Sequence, residues 1–243
     1  ITSSIEHKAV LDIFKGINEK TTFIRPDKEG IVDIRDIEKA INKDTILVSI
    51  MHANNEIGSI QPIKKIGSLC KKYNIIFHVD AAQSLGKINI DVNDMNIDLL
   101  SISAHKIYGP KGIGALYIKD KKPKIKISPI IVGGGQENNI RSGTLPTPLI
   151  VGFGKASEIL SSRMISDNIR IKKLASTLIE KILFAYPDSI LNGSKTNRIC
   201  GNINFTFPFL RGMSILRSIP EIAVSSGSAC TSSDPKPSYV LTQ

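Results

Sequence analysis

Short runs of branched apolar residues alternate along this chain with stretches in which apolar positions recur every three or four residues. Thr45 to Met51, Ile75 to Val79 and Leu99 to Ser103 are runs of the first kind, and Lys111 to Ile118 opens on glycines before continuing Ala115, Leu116, Tyr117, Ile118. Their length suits buried strands. Between them, Asp33 stands where a helix N-cap accepts a backbone N–H, ahead of Ile34, Ile37 and Ile41 at helical spacing, and Pro62 to Tyr73 reads as a second helix. Strands joined by crossover helices predict an α/β fold, a mostly parallel sheet with helices on both faces. After Thr147 the pattern becomes a long helical stretch to about Phe184, with a break expected near Ser161 to Asp167. Short strands are expected at Ile203 to Phe207 and Glu221 to Ser225, followed by a glycine- and serine-rich segment to Ser233. The organisation expected is a large domain over residues 1–155 and a partial, smaller α+β C-terminal domain over 156–243.

Composition narrows the class. With 41% hydrophobic and 22% charged residues in 243, the chain can bury a sizeable core. No apolar run approaches the length of a membrane-spanning helix, and the first residues lack the layout of a signal peptide. A cytosolic or organelle-matrix enzyme is expected. Three widely spaced cysteines, Cys70, Cys200 and Cys230, argue against a disulfide framework and against a clustered zinc site. The formal charge of +10 comes from scattered lysines without a nucleic-acid-binding motif, so neither nucleic acid nor membrane is expected as a partner.

In an open parallel sheet, ligands sit beyond the carboxyl ends of the strands. The first apolar run is followed by His52, Ala53, Asn54, Asn55 and Glu56, the second by Asp80, Ala81, Ala82, Gln83 and Ser84, and the third by Ala104, His105 and Lys106. A lysine at the end of a buried strand is partly desolvated, which favours the neutral, nucleophilic amine. Such a lysine forms Schiff bases; with pyridoxal phosphate as the carbonyl partner, a nearby acid such as Asp80 would keep the pyridine nitrogen protonated. The plain alternative is a solvated loop lysine before a turn, Gly109-Pro110-Lys111-Gly112. Neither a P-loop nor a dinucleotide fingerprint is present.

Six segments carry a resemblance: Glu6 to Val10, His52 to Gly58, His78 to Gln83, Ser103 to Gly114, Arg141 to Pro146 and Ser225 to Thr231. In this order and spacing they resemble cysteine desulfurases of the iron-sulfur-assembly type, homodimeric pyridoxal-phosphate enzymes of fold type I within the class V aminotransferase group. The resemblance implies that Lys106 carries the cofactor, Asp80 pairs with the pyridine nitrogen and His7 stacks on the ring. It further implies that Asn55 and Gln83 contact the ring or its phenolic oxygen, that Ser103 and His105 bind the phosphate, and that Thr144 reaches the phosphate of the other subunit. Ala104 stands where the family more often has glycine. Cys230 would be the sulfur acceptor, taking sulfur from L-cysteine as a persulfide, releasing alanine, and passing sulfur to a scaffold or carrier protein. His105 or His7 would protonate leaving groups. Cys70 and Cys200 read as structural.

The family's upstream phosphate-binding threonine segment and downstream carboxylate-binding arginine are not found between Ile1 and Gln243, so both ends are expected to be cut and cofactor retention weakened. A related pyridoxal-phosphate lyase or aminotransferase, and a non-catalytic remnant, stay open as alternatives.

Overall fold

A computed structural model of the chain describes residues 1–17, 20–225 and 238–243. Six strands form one sheet in the order β2-β1-β3-β4-β5-β6, with β1 at Thr2–Ser3, β2 at Phe23–Ile24, β3 at Leu47–Met51, β4 at Ile76–Asp80, β5 at Leu99–Ser103 and β6 at Gly114–Ile118. All neighbours pair parallel except β6, which returns antiparallel along β5. Helices α1 (Lys8–Gly16), α2 (Ile34–Ala40) and α3 (Ile63–Lys72) are the crossovers. The expected α/β architecture is borne out, and β5 begins and ends where its apolar run does. Asp33 caps α2 as expected, its carboxylate accepting from the Arg35 N–H at 2.8 Å.

Alternation along the strands sorts side chains between two faces. Val48, Ile50, Phe77, Val79 and Leu100 point to one face and pack with Ile37 of α2 and Ile63, Ile66, Leu69 and Cys70 of α3. Each such large aliphatic or aromatic side chain contributes roughly 1.5–3 kcal/mol by leaving water. Burial pushes the Cys70 thiol up to about 12, in keeping with a structural cysteine. Ser49, His78 and Ser101 alternate to the other face and form a hydrogen-bonded row across β3, β4 and β5: Ser49 Oγ to His78 Nδ1 and His78 Nε2 to Ser101 Oγ, both 2.8 Å.

Helix α4 (Thr147–Ala185) follows, then the antiparallel pair β7 (Ile190–Leu191) and β8 (Phe205–Thr206) and helix α5 (Gly212–Ser218). Two expectations fail here. The break near Ser161 to Asp167 does not occur, because Ser162 and Ser166 turn their hydroxyls onto carbonyls one turn back, Ile159 O and Arg163 O, and leave the helix intact. Glu221 to Ser225 is turn and irregular chain: Ile222 and Val224 are more than half exposed, and among the described residues no strand lies alongside to take ladder bonds. No helix among the described residues is long and apolar enough to cross a membrane.

Candidate active site

Because β1, β3, β4 and β5 run parallel, the residues that follow them gather along one edge of the sheet. Behind β1, the chain delivers Glu6 and then His7, the N-cap of α1; His7 Nδ1 accepts from the Ala9 N–H at 3.1 Å, which fixes the ring on the first turn. After β3 comes a tight loop organised by Asn54. Its amide donates to Ile5 O and its Oδ1 accepts from the Glu56 and Ile57 N–H groups, so that Asn55 is held at the edge. Asn55 Oδ1 is buried and has no hydrogen-bond partner, while the Asn55 carbonyl accepts from Asn202 Nδ2 at 2.9 Å.

Asp80 is the last residue of β4, directly opposite Met51 on one side and Ser101 on the other. Its Oδ1 accepts from the Ala82 N–H at 2.9 Å. Gln83, one turn on, takes the Lys87 ammonium on both its carbonyl and its side-chain oxygen. Strand β5 ends at Ser103 and passes straight into a single 3-10 turn, Ala104–Ile107, that presents His105 and Lys106. Ser103 Oγ and His105 Nδ1 are 2.9 Å apart. Tyr108 then turns back in the left-handed region at φ 64°, a conformation costing a non-glycine residue about 1–2 kcal/mol, and its own side chain is exposed. Non-glycine residues held this way cluster at functional turns. The 3-10 turn is backed by Phe153 of α4, which packs on Ala104 and Ile107.

Electrostatics single out three groups. Lys87 is held below its usual value by burial and then by the Lys106 ammonium, which places two cations at this edge. His52 is 3% exposed, its Nδ1 has no partner, and burial holds it neutral down to about 4. Glu6 is fully buried and is pushed up to about 8, by burial first and by the Asp80 charge last.

The structure thus brings His7, Asn55, Asp80, Gln83, Ser103, His105 and Lys106 to ends of neighbouring strands. Thr144 lies apart, exposed on the loop ahead of α4. Cys230 lies outside the described residues. Glu6, His52 and His78 stood inside the segments singled out in the sequence but received no role of their own, and the Ser49–His78–Ser101 row was not foreseen. The signal for Glu6 was its place directly before His7, and for His78 its polar character in the middle of a buried strand.

A mostly parallel α/β sheet whose carboxyl edge gathers an amine, carboxylates, imidazoles and amides has the layout in which such sheets bind ligands. The chain belongs to the aminotransferase class-V family, which it matches over residues 1–243. It is 52% identical over 244 residues to cysteine desulfurase IscS of Ehrlichia chaffeensis, covering 99% of this chain and 60% of that protein. It is 50% identical to the mitochondrial cysteine desulfurase of Saccharomyces cerevisiae, covering 49% of its length. Among solved structures, a NifS-like protein superposes with a TM-score of 0.88 at 35% identity, over 99% of this chain and 64% of that one. SspA in complex with cysteine gives 0.79 at 42% identity, over 99% and 67%. The chain therefore spans about half to three-fifths of the length of these curated relatives.

Proposed function

We propose that this chain is the cofactor-binding portion of a pyridoxal-phosphate-dependent cysteine desulfurase that supplies sulfur for iron-sulfur cluster assembly. The observation that supports the reading is that Lys106, just past β5, and Asp80, at the end of the adjoining strand β4, both follow the carboxyl ends of neighbouring strands, the edge where a parallel sheet binds ligands. The residues fit the cofactor. Lys106 offers an amine for its aldehyde, Asp80 a carboxylate for its ring nitrogen, Ser103 and His105 donors for its phosphate, and Asn55 an amide whose buried oxygen is otherwise unpaired. When bound, pyridoxal phosphate supplies an electron sink for charge developing at an amino acid's α-carbon.

The protein's own groups do the rest. Lys106 would hold the cofactor through its aldehyde and, with substrate in place, would hold and move the proton at the substrate α-carbon. Asp80 would pair with the ring nitrogen and keep it protonated, His7 would lie against the ring, and Gln83, braced by Lys87, together with Asn55 would orient it. Cys230 as thiolate attacks the sulfur of L-cysteine: a sulfur–sulfur bond forms, the substrate carbon–sulfur bond breaks with its electron pair left on carbon, and protonation there gives alanine. His105 or His7 supplies protons to leaving groups. The homodimer, with Thr144 reaching the partner's site, a scaffold or carrier protein as sulfur acceptor, and the division into domains 1–155 and 156–243 belong to the same proposal.

The test is a visible absorption spectrum of the full-length protein with pyridoxal phosphate, followed by assay of alanine and sulfide on adding L-cysteine. Lys106→Ala should remove the lysine-dependent band and lower alanine formation by about 10²–10⁴-fold, the range of a lost general acid–base group. Cys230→Ala should abolish sulfur transfer. Alanine formation that survives loss of Cys230 would move the assignment to a related lyase or aminotransferase, and a band that persists without Lys106 would remove the cofactor reading.

A further inference from the structure

Glu6 is the least explained group at this edge. Its side chain is fully buried. Oε1 accepts from Ser3 Oγ at 2.7 Å and from the Met51 N–H at 2.8 Å, whereas Oε2 is buried with no partner at all. Met51 is the residue paired with Asp80 across β3 and β4, so the Glu6 carboxyl is fastened to the backbone one strand away from Asp80. The Glu6 carbonyl is pinned from the other side by the Tyr239 hydroxyl at 2.7 Å, and Ile5, Met51, Ile57 and Val240 make the wall apolar. Two ionised carboxylates in so dry a setting repel strongly, and a lone oxygen without a donor does nothing to stabilise a charge on Glu6.

We propose that Glu6 is a positioning residue: a buried carboxyl, fastened by one oxygen to Ser3 and Met51 and unpaired at the other, that adds no second negative charge beside Asp80 and so leaves Asp80 free to pair with a cationic ring nitrogen. This rests on the role of Asp80 given above. The titratable groups on the surrounding elements are Asp80 and His78 on β4, His52 after β3, His7 at the head of α1, Glu56 in the Asn54 loop and Tyr239 on the closing segment. Of these, Asp80 is the charge that acts on Glu6, and it acts in the direction of retaining the proton. His52 is neutral down to about 4, and His78 is lowered by burial while the Asp80 charge raises it. Neither histidine therefore supplies a cation to ionise Glu6 at neutral pH. Ionisation of Glu6 near pH 8 puts a second charge beside Asp80 and weakens the difference between the two carboxyls.

The experiment is a side-chain carboxyl ¹³C NMR titration of the 243-residue chain without cofactor, with Asp80 assigned through Asp80→Asn. The expected result is a glutamate resonance titrating near pH 8 that vanishes in Glu6→Gln, and a step in the Asp80 resonance at the same pH that vanishes with it. Absence of the glutamate titration overturns the proposal, as does a titration to which Asp80 is indifferent. Should Glu6→Gln fail to fold, Ser3→Ala retains both carboxyls and removes one donor from Oε1; the shared midpoint must then move up, and an unmoved midpoint overturns the proposal. A second arm follows the visible band of the full-length protein loaded with pyridoxal phosphate: its alkaline midpoint should differ between wild type and Glu6→Gln, and identical midpoints overturn the proposal. Failure of the full-length wild-type protein to form any band overturns instead the cofactor reading, and the cofactor-free titration still decides Glu6.

Discussion

Helix α3 and helix α4 obey different rules. The ten residues of α3 include five that are buried, whereas the 39 of α4 include one, Phe153. Ile63, Ile66, Leu69 and Cys70 of α3 lie in the same core as Phe77 and Val79 of β4, which ends at Asp80. On α4, Val151, Ile165, Ile169, Leu174 and Phe184 all remain at the surface, and only its first turns, through Phe153, Ala156 and Leu160, pack against the 3-10 turn that carries Lys106. Asp80, Asn55 and Glu6 are positioned by a closed core and a paired sheet, and the rest of α4 contributes little to them.

The largest expected effect that would test this contrast is on the sheet core. Phe77→Ala removes a fully buried ring from β4 and should cost about 3–5 kcal/mol in urea unfolding, with the strand carrying Asp80 loosened. A cost below about 1 kcal/mol would mean that the sheet half is not the stabilising unit.

Next comes the acid limb of stability, which reads the dryness of the edge. His52 is held neutral, so its folded value lies near 4 against an ordinary 6.5. The unfolded chain therefore takes up a proton first as pH falls, and stability present above pH 6.5 is lost as pH descends towards 4, by on the order of 3 kcal/mol. Thermal melts from pH 7.5 to 4 should show this limb in the wild type and a flatter one in His52→Gln. Glu6 runs the opposite way: its raised value makes its contribution fullest below 4.5, and that contribution declines as pH rises through 8.

The smallest effect should lie on α4. Ile165 is 74% exposed, and Ile165→Ala should change stability by no more than about 0.5 kcal/mol. A loss of several times that size in the isolated chain would show that the outer turns of α4 are packed in a way that its surface exposure denies, and the contrast between the two helices would dissolve.

Much of the sheet half was legible because its signals are local. The run Leu99 to Ser103 is bounded by its own apolar pattern, Asp33 announces α2 through a cap needing only its neighbours, and Cys70 sits on an apolar stripe. The pairs Thr2–Ser3 and Phe23–Ile24 are too short to make a pattern and become strands only because parallel neighbours take their ladder bonds. The serines near residue 162 look like a break in sequence, yet back-bonding to carbonyls within the helix absorbs them. Glu221 to Ser225 fails as a strand for the converse reason, since extended chain with no partner among the described residues gains nothing by being straight.

The α/β class, the main strands and the residues that stand at their ends are legible in the chain because periodicity and capping act over a few neighbouring positions. That β6 turns antiparallel, that Ser49, His78 and Ser101 join into one row, and that Glu6 lies dry against the strand beside Asp80 emerge with the packed fold. Those outcomes depend on which strands pair and in what register, and on how much water a buried carboxyl keeps, quantities set by contacts between residues up to 45 positions apart in the chain.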